Sequence, residues 1–403
     1  MSVINIVTLI NSLWILPANA VSPSGVFSVN KTEQAFIAAA DALIDHYWGA
    51  SFPDCSNCFY FNSRSDQADK KNEWWWQAQA MDVVIDAYRL TGSSRYLQMY
   101  EPWFDGICRY NYEQWPDDPW RNNSIDDMEW IAITLIRMYE TSGEARYLQQ
   151  AQKLYDRYII TTWGPNDEDP WNGGISWSTD SLIPKTKNAC SNGPGGIIAS
   201  MLASHCKALE GHDKKGMKKK YLKDLKQIYD WEHDHLFNTT TGAVYDHIGK
   251  RGVAKRVWSY NTGTFLAMAT ALYQQTHNRQ YLHDAVKAAD YSILMLGDAK
   301  TGLMNNVSKS PKGGDVGLFH GIFFRYLTHL IKCKDLPEHK RNAYVDFLRA
   351  NSICAVNCLQ PGVNIFSKDW VGETITSTTD APLTPHVTGC TLLSATLNVT
   401  KSR

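Results

Sequence analysis

The chain of 403 residues has no excess of charge of either sign, because 40 Lys and Arg residues stand against 41 Asp and Glu residues. A net charge of −1 gives no global attraction to nucleic acid or to an anionic membrane, so neither is expected as a partner. Alternation of apolar and polar residues, the signal of half-buried strands, is also scarce. This scarcity favours an all-α fold.

Both ends lack the long apolar segments that hold a protein in a membrane. The first twenty residues resemble a signal peptide, with an apolar stretch from Ile4 to Leu16 and small residues at Ala18 and Ala20, although no Lys or Arg precedes Lys31. They are shorter than a membrane span of about 20 apolar residues. The last sixteen residues lack the apolar tail of a lipid-anchor signal. We therefore expect secretion without a membrane anchor.

A pattern in which a polar turn precedes Tyr-Leu recurs along the chain. It lies at 91–103, 141–155 and 276–290, with a weaker copy at 218–231. The spacing leaves room for one two-helix hairpin in each interval. Because such a hairpin cannot bury its apolar face alone, the hairpins must pack side by side, as an open solenoid or as a closed ring. The repeats do not decide between the two.

Nine cysteines are compatible with disulfides in a secreted protein, although the odd number leaves at least one unpaired. Cys55, Cys58, Cys354 and Cys358 could in principle form a four-thiolate zinc site, but the second pair has a three-residue gap and lies far from the first. Disulfides or buried thiols are favoured, and no metal is expected. Sequons predict a glycoprotein in a eukaryotic host and occur at Asn30, Asn122, Asn238, Asn306 and Asn398.

Two adjacent carboxylates, Asp126 and Asp127, lie at the start of a segment with helical periodicity, residues 124–139. Glycoside hydrolysis uses two carboxyl groups, which lie about 5 to 5.5 Å apart in retaining enzymes. Neighbouring Cβ atoms reach such a separation, so the pair is a candidate catalytic site. The alternative is that Ser124 caps the helix and both aspartates only favour its positive end.

Aromatic residues make up 12% of the chain, which includes 15 tryptophans. Tryptophan rings stack on the apolar faces of sugars, so exposed rings would indicate a carbohydrate-binding cleft. Three consecutive tryptophans open the helical segment 73–88. We expect at least one of them to pack in the core and Trp75 and Trp76 to line a cleft. Trp171 and Trp177 lie on either side of a Gly-Gly loop, and exposure is expected there.

Neutral polar residues precede two apolar helices, at Asn188 and Asn192 and again at Tyr260 and Asn261. They can cap the helices or form hydrogen bonds to sugar hydroxyls. A neutral polar lining suits an uncharged polysaccharide, because buried ions are costly without a charged partner. All four are therefore candidate substrate-binding residues.

The motifs WWWQAQAMD, DDMEW, GGISW, KNACSNGPGG, YNTGTF and FHGIFFRYL follow one another in this order, with helical hairpins between them. This ordered set, which extends from about Thr32 to about Leu330, resembles glycoside hydrolase family 76. That family contains endo-α-1,6-mannanases and fungal cell-wall transglycosidases on an (α/α)6 toroid. The resemblance implies that the ring is closed and that the substrate is α-1,6-mannan, with no cofactor required.

The resemblance also implies roles for the two aspartates of a retaining mechanism, with Asp126 as nucleophile and Asp127 as general acid/base. The chain departs from the family pattern at Glu129, Thr262 and His320, where a small residue, Gln and Lys are common. These departures concern subsite detail and leave both aspartates in place. Glu129 is interpreted as an exposed or cap-completing helix residue, with modulation of a catalytic pKa as the alternative.

The sequence thus predicts a signal peptide at 1–20 and a single (α/α)6 catalytic domain at 21–403, with a C-terminal tail at 375–403. The predicted protein is a secreted monomer that cleaves α-1,6-linked mannan internally with retention. Two alternatives stay open. One is a cell-wall mannan transglycosidase that passes the same covalent intermediate to a sugar, and the other is a non-catalytic carbohydrate-binding protein on the same scaffold.

Overall fold

A computed structural model describes residues 25–401 except for the segments 53–54, 65–72, 165–170, 299–300, 305–313, 371–373 and 377–379. The predicted signal peptide, 1–20, and the sequon at Asn306 lie outside the described residues. Helices dominate, which confirms the all-α prediction. In chain order they are α1 (Val29–Tyr47), α2 (Trp74–Thr91), α3 (Ser94–Leu97), α4 (Tyr100–Arg109), α5 (Ile125–Ser142), α6 (Ala145–Leu154), α7 (Ala189–His205), α8 (Lys214–His235), α9 (Ser259–Thr276), α10 (Arg279–Leu296), α11 (Val316–Ile331), α12 (Glu338–Asn357) and α13 (Leu383–Thr400).

The helices form two concentric layers. The inner layer consists of α2, α5, α7, α9, α11 and α13, and each of these packs against the next one in chain order. The last inner helix, α13, packs against both α11 and α2, so the ring is closed. This arrangement is the (α/α)6 toroid that the family resemblance implied. Residues 375–403 therefore include a buried helix of the ring rather than forming only a tail.

The predicted Tyr-Leu repeat marks the outer layer. Its tyrosines lie in α3, α6, α8 and α10, and all four are buried. Three of the hydroxyl groups donate to a carboxylate of the preceding outer segment: Tyr96 to Asp41 (3.0 Å), Tyr147 to Glu101 (3.4 Å) and Tyr221 to Asp156 (2.8 Å). The repeat therefore connects consecutive outer helices around the ring.

The inner helices approach each other closely through small residues. A Cβ atom at Gly193 of α7 would lie 2.5 Å from Cβ of Thr264 in α9, and one at Gly196 would lie 2.0 Å from Sδ of Met268. Such distances leave no room for a larger side chain. Each inner helix follows an antiparallel outer partner, so all six begin at the same end of the ring.

Within the described residues, five short strands lie in the segments that connect the helices. Strands β1 (Trp48–Phe52) and β2 (Cys55–Tyr60) form a hairpin, and β3 (Thr186–Asn188), β4 (Tyr245–Gly249) and β5 (Gly252–Val257) form a sheet in the order β3-β4-β5. The last residue of β3 directly precedes α7. The three-stranded sheet therefore lies at the end of the ring where the inner helices begin.

The described residues bear on the remaining sequence predictions in three ways. None of their helices is long and apolar enough to cross a membrane. Their side chains contain no group of three or more His, Cys, Asp or Glu arranged to hold a metal ion. Disulfide formation remains a prediction, and it gains no support from six positions at which the structure has free thiols: Cys108, Cys190, Cys206, Cys333, Cys354 and Cys390.

Candidate active site

Asp126 and Asp127 occupy the first turn of α5, at the end of the ring where the inner helices begin, and both are half-buried. The partial positive charge at a helix N-terminus favours negative side chains there. Ser124 is the N-cap residue, but its side chain makes no capping hydrogen bond. Instead its backbone N–H donates to Oδ1 of Asn122 (2.9 Å). The capping alternative therefore does not account for this helix start.

One oxygen of Asp126 accepts two side-chain hydrogen bonds. Nε1 of Trp177 lies 3.2 Å from Oδ2, and Sγ of Cys190 lies 3.4 Å from the same atom. Burial raises the pKa of Cys190 well above its usual value, so it remains a thiol that can donate. Burial also raises the pKa of Asp126, to about 6, while the donors Cys190 and Trp177 and the backbone N–H of Asp127 oppose that rise.

Asp127 has a different environment. Among the residues that the structure describes, its one side-chain donor is Nδ2 of Asn122, 3.4 Å from Oδ2. Burial raises its pKa well above the usual value, and the negative charges of Asp126, Glu73 and Asp315 raise it further. The donors thus favour the ionised form of Asp126, whereas the surrounding negative charges favour the protonated form of Asp127. This division suits a nucleophile beside a general acid.

The loop that carries Trp177 is shaped by two glycines. Gly173 and Gly174 have φ values of +133° and +78°, and a Cβ atom at Gly174 would lie 2.6 Å from Cε2 of Trp231 in α8. Nε1 of Trp231 donates to the carbonyl of Trp171 (2.9 Å). The indole of α8 therefore fits against a stretch of backbone that only glycine can form.

Two buried polar side chains fix the same loop. Nζ of Lys187 donates to the carbonyl of Gly174 (2.7 Å) and to Oγ of Ser176 (3.1 Å). Asn192 is completely buried, and its side chain pairs with both the N–H (2.8 Å) and the carbonyl (3.2 Å) of Ile175. The prediction that Asn192 binds substrate is therefore wrong for this structure, because its amide holds the loop in place.

The three consecutive tryptophans of α2 are all buried, with Trp75 8% and Trp76 7% exposed. Trp74 packs in the core, as predicted. The indole N–H groups of Trp75 and Trp76 donate to Oδ1 of Asp315 at 3.1 and 2.8 Å. Asp315 is one of the carboxylates that raise the pKa of Asp127. Both rings are therefore buried beside the site, where they bind Asp315. The prediction that they line a cleft open to substrate is wrong for this structure.

The other predicted polar residues also lie within the walls. Asn188 is the N-cap residue of α7 and is 9% exposed, without a capping side-chain bond. The ring of Tyr260 stacks on Phe319, with centroids 3.9 Å apart. Asn261 is completely buried, and its Nδ2 donates to Oδ1 of Asp246 (3.3 Å). Direct sugar contact by Asn261 is therefore excluded in this arrangement. Trp177, which is half-buried, keeps part of its ring accessible.

The interpretation of Glu129 as an exposed helix residue is wrong. It is completely buried one turn after Asp126, and a Cβ atom at Gly195 would lie 2.9 Å from its Oε1. Burial raises its pKa well above the usual value, with contributions from the charges of Asp126 and Glu232. Glu232 of α8 is also completely buried, and burial raises its pKa. The carboxyl oxygens of both residues have no hydrogen-bond partner among the described residues.

Sequence reasoning missed Cys190, Asn122, Glu73 and Asp315 as members of the site. Cys190 lies inside a motif from which only its neighbours Asn188 and Asn192 were taken as site residues, and Asn122 lies inside a sequon, which pointed to glycosylation. Glu73 and Asp315 had no local signal. They approach Asp127 only because α2 and α11 begin at the same end of the closed ring as α5.

Comparison with known proteins identifies relatives over nearly the whole chain. The family model described as glycosyl hydrolase family 76 matches residues 31–402. A Schizosaccharomyces pombe protein named "Putative mannan endo-1,6-alpha-mannosidase C970.02" is 23% identical over 218 residues, which cover 51% of this chain and 46% of that protein. The chain thus matches about half the length of this curated relative.

Solved structures resemble the whole fold. An inactive variant of the α-1,6-mannanase GH76A of Salegentibacter sp. HEL1_6, solved with α-1,6-mannotetrose, is 27% identical, with a TM-score of 0.76 over 91% of this chain and 99% of that one. Dfg5 from Chaetomium thermophilum, solved with glucosamine, is 16% identical, with a TM-score of 0.70 over 93% of this chain and 92% of that one. The second likeness concerns the fold alone.

Replacing Trp177 with Phe should shift the pH dependence of catalysis. The substitution keeps an aromatic ring but removes the Nε1 donor that lowers the pKa of Asp126, so this pKa should rise and the acidic limb of the kcat/KM profile should move to higher pH. The profile is measured on α-1,6-mannan. Trp171→Phe, which keeps the carbonyl bonded to Trp231, serves as the control with an unshifted limb. An identical profile for Trp177→Phe and the unmodified protein would show that this indole does not influence the pKa of Asp126.

Replacing Glu129 with Gln should stabilise the protein increasingly as pH rises. Below the ordinary Glu pKa of 4.5, the Glu129 carboxyl group is protonated in both the folded and the unfolded chain. Above that pH only the unfolded chain releases the proton, so the folded state loses stability as pH rises. Gln abolishes that loss. Tm should therefore increase relative to the unmodified protein between pH 5 and neutrality.

Glu140→Gln is a control of opposite sign. Although burial opposes the shift, His205 and Arg89 lower the pKa of Glu140, so its ionised form stabilises the folded state at neutral pH and this contribution is lost on acidification. The Tm of Glu140→Gln should therefore fall at neutral pH. A Glu129→Gln variant whose Tm difference does not change with pH would show that Glu129 is ionised in the folded protein.

Proposed function

The chain belongs to glycosyl hydrolase family 76, and on this basis we propose that it is a secreted enzyme that cleaves α-1,6-mannosidic linkages within mannan, with retention and without a cofactor. The observation that carries the proposal is the unequal environment of the two adjacent carboxyl groups. Asp126 has donors that favour its ionised form, whereas Asp127 faces other negative charges. A retaining mechanism needs this inequality.

In the first step, the Asp126 carboxylate attacks the anomeric carbon while the glycosidic bond breaks and Asp127 transfers its proton to the departing oxygen. The products are a glycosyl ester on Asp126 and the shortened chain. In the second step, Asp127 removes a proton from water, whose oxygen attacks the same carbon and releases Asp126. Transfer to a sugar hydroxyl instead of water would give the transglycosidase alternative.

The choice of this pair has support from comparison within the chain. The inactive Salegentibacter mannanase carries substitutions at two consecutive aspartates, and this chain contains two consecutive pairs, Asp117–Asp118 and Asp126–Asp127. Although burial opposes the shift, Tyr158, Lys153 and Arg157 lower the pKa of Asp118. Asp118 is thus the ionised partner of two cations, whereas burial and neighbouring negative charges raise the pKa of Asp127 in the second pair.

The substrate proposal follows from the mannanase that was solved with an α-1,6-linked oligosaccharide and from the family itself. Secretion is proposed from the signal-like residues 1–20. The half-buried Trp177 ring lies beside Asp126, so it would contact the sugar that reacts rather than a remote one. Its loss should therefore affect kcat and KM together.

Product analysis on unbranched α-1,6-mannan tests substrate and mechanism together. We expect internal cleavage of this polymer and negligible cleavage of α-1,2- or α-1,3-linked manno-oligosaccharides. Proton NMR in the first minutes should show the α-anomer of the new reducing end before mutarotation. A β-anomer appearing first would refute retention, and similar rates on all three linkages would refute the specificity. Longer products without net hydrolysis would favour transglycosylation.

Substitution of the two aspartates separates their roles. Asp126→Asn should abolish turnover of every substrate, because no glycosyl ester can form. Asp127→Asn should lose activity on mannan but retain the first step on an activated aryl mannoside, which needs no acid assistance. Asp117→Asn, an exposed member of the other pair, is the control and should behave like the unmodified enzyme. Equal losses of Asp127→Asn on both substrates would contradict its role as the acid.

A further inference from the structure

A cavity opens at the end of the ring opposite the two aspartates. Its volume is about 740 Å³, and the later turns of all six inner helices line it. Arg137 reaches it from α5, eleven residues after Asp126 and therefore about 16 Å further along the helix axis. The cavity is within the size range of pockets that hold small molecules. Nothing in the proposed reaction uses it.

The wall of this cavity contains hydrogen-bond donors without acceptors. Arg325 is 8% exposed, and its Nη1 contacts Oδ2 of Asp82 (2.6 Å) and Oε1 of Gln79 (2.9 Å). Its Nε and Nη2 are buried and have no hydrogen-bond partner in the part of the chain that the structure describes, and the same is true of the hydroxyl of Tyr326, the next residue. Nε and Nη2 form one edge of the guanidinium plane, the edge that binds two oxygens of a carboxylate or phosphate at once.

Cations outnumber carboxylates around these donors by a small margin. Five cationic side chains line the cavity, against the lining carboxylates of Asp86 and Glu140 and two more that pair with lining cations, Asp82 with Arg325 and Glu33 with Lys401. Arg137 lies between Asp82 and Asp86, and Arg89 pairs with Glu140. Enclosure in the cavity and the charges of Arg137 and Lys332 together lower the pKa of His329 to about 4.

Favourable interaction with the negative ends of the helices explains the position of only some of these cations. Basic side chains in the last turn of a helix favour its negative end, and this explains Arg89, Lys332 and Lys401 at the ends of α2, α11 and α13. Arg325 lies six residues before the end of α11. Neither the dipole nor Asp82 uses the free edge of its guanidinium group.

We propose that this cavity is a second binding site, which takes a small molecule with an oxyanion group, either a phosphate or a carboxylate, held by the free edge of Arg325 and the hydroxyl of Tyr326. The donors are enclosed by the cavity wall, so side chains at its surface must rotate when the ligand enters. Such rotations are fast for exposed side chains. The site is independent of the proposed mannan cleavage, since it lies at the other end of the inner helices.

Titration calorimetry of the full chain with inorganic phosphate, malonate and neutral mannose tests the proposal. One of the two anions should bind saturably at millimolar concentration and mannose should not, and the stronger anion identifies the ligand class. Arg325→Lys keeps a positive charge beside Asp82 but removes the guanidinium edge, so binding should weaken at least about tenfold. Tyr326→Phe should weaken binding several-fold. This second variant keeps the proposal testable if Arg325→Lys does not fold. The exposed Arg251→Lys is the control and should bind like the unmodified protein.

Diffraction with tungstate, an anomalous scatterer shaped like phosphate, should place the ion within hydrogen-bond distance of Arg325 and Tyr326. The proposal is overturned by the absence of saturable anion binding, by equal affinity of both variants and the unmodified protein, or by tungstate bound only outside the cavity. Because binding is measured without turnover, these results do not depend on whether mannan is the substrate.

Discussion

Contact between the first and last inner helices, α2 and α13, is the constraint on which the other features depend. It converts a row of hairpins into a ring, so that the inner helices are surrounded by protein on nearly every face. Helices α7 and α9 therefore need apolar residues and glycines on every face, whereas a helix at a protein surface needs them on one face only. Since the inner helices share one direction, closure also gathers all their positive ends around Asp126 and Asp127.

The site shows how one environment can give neighbouring residues different chemistry. Asp126, Asp127 and Glu129 share one helix turn and are all affected by burial, which favours the neutral acid. What separates them is the number of donors. Asp126 has an indole and a thiol, Asp127 has one amide, and Glu129 has none among the described residues. Neighbouring charges add to this difference, because Asp126, Glu73 and Asp315 raise the pKa of Asp127 further.

The sequence predicted the architecture better than the walls of the site. Hairpin repeats and helical periodicity are local signals, and the ordered motifs resolved the question of closure that the repeats left open. The roles of Asn192, Asn261 and Glu129 were misjudged because polarity in a loop or at a helix start was taken to mean exposure. Whether a polar side chain faces a sugar or a backbone amide depends on the neighbouring segments, and residues such as Ile175 and Asp246 are distant in sequence.

The contact of Gly173 and Gly174 with Trp231 limits which substitutions this loop can accept during evolution. The loop that carries Trp177 combines two positive φ values with close contact to an indole on an outer helix. A substitution of either glycine is therefore opposed by backbone strain as well as by Trp231, and a smaller residue at 231 would leave a void beneath the loop. Single-step drift is therefore blocked at three positions together.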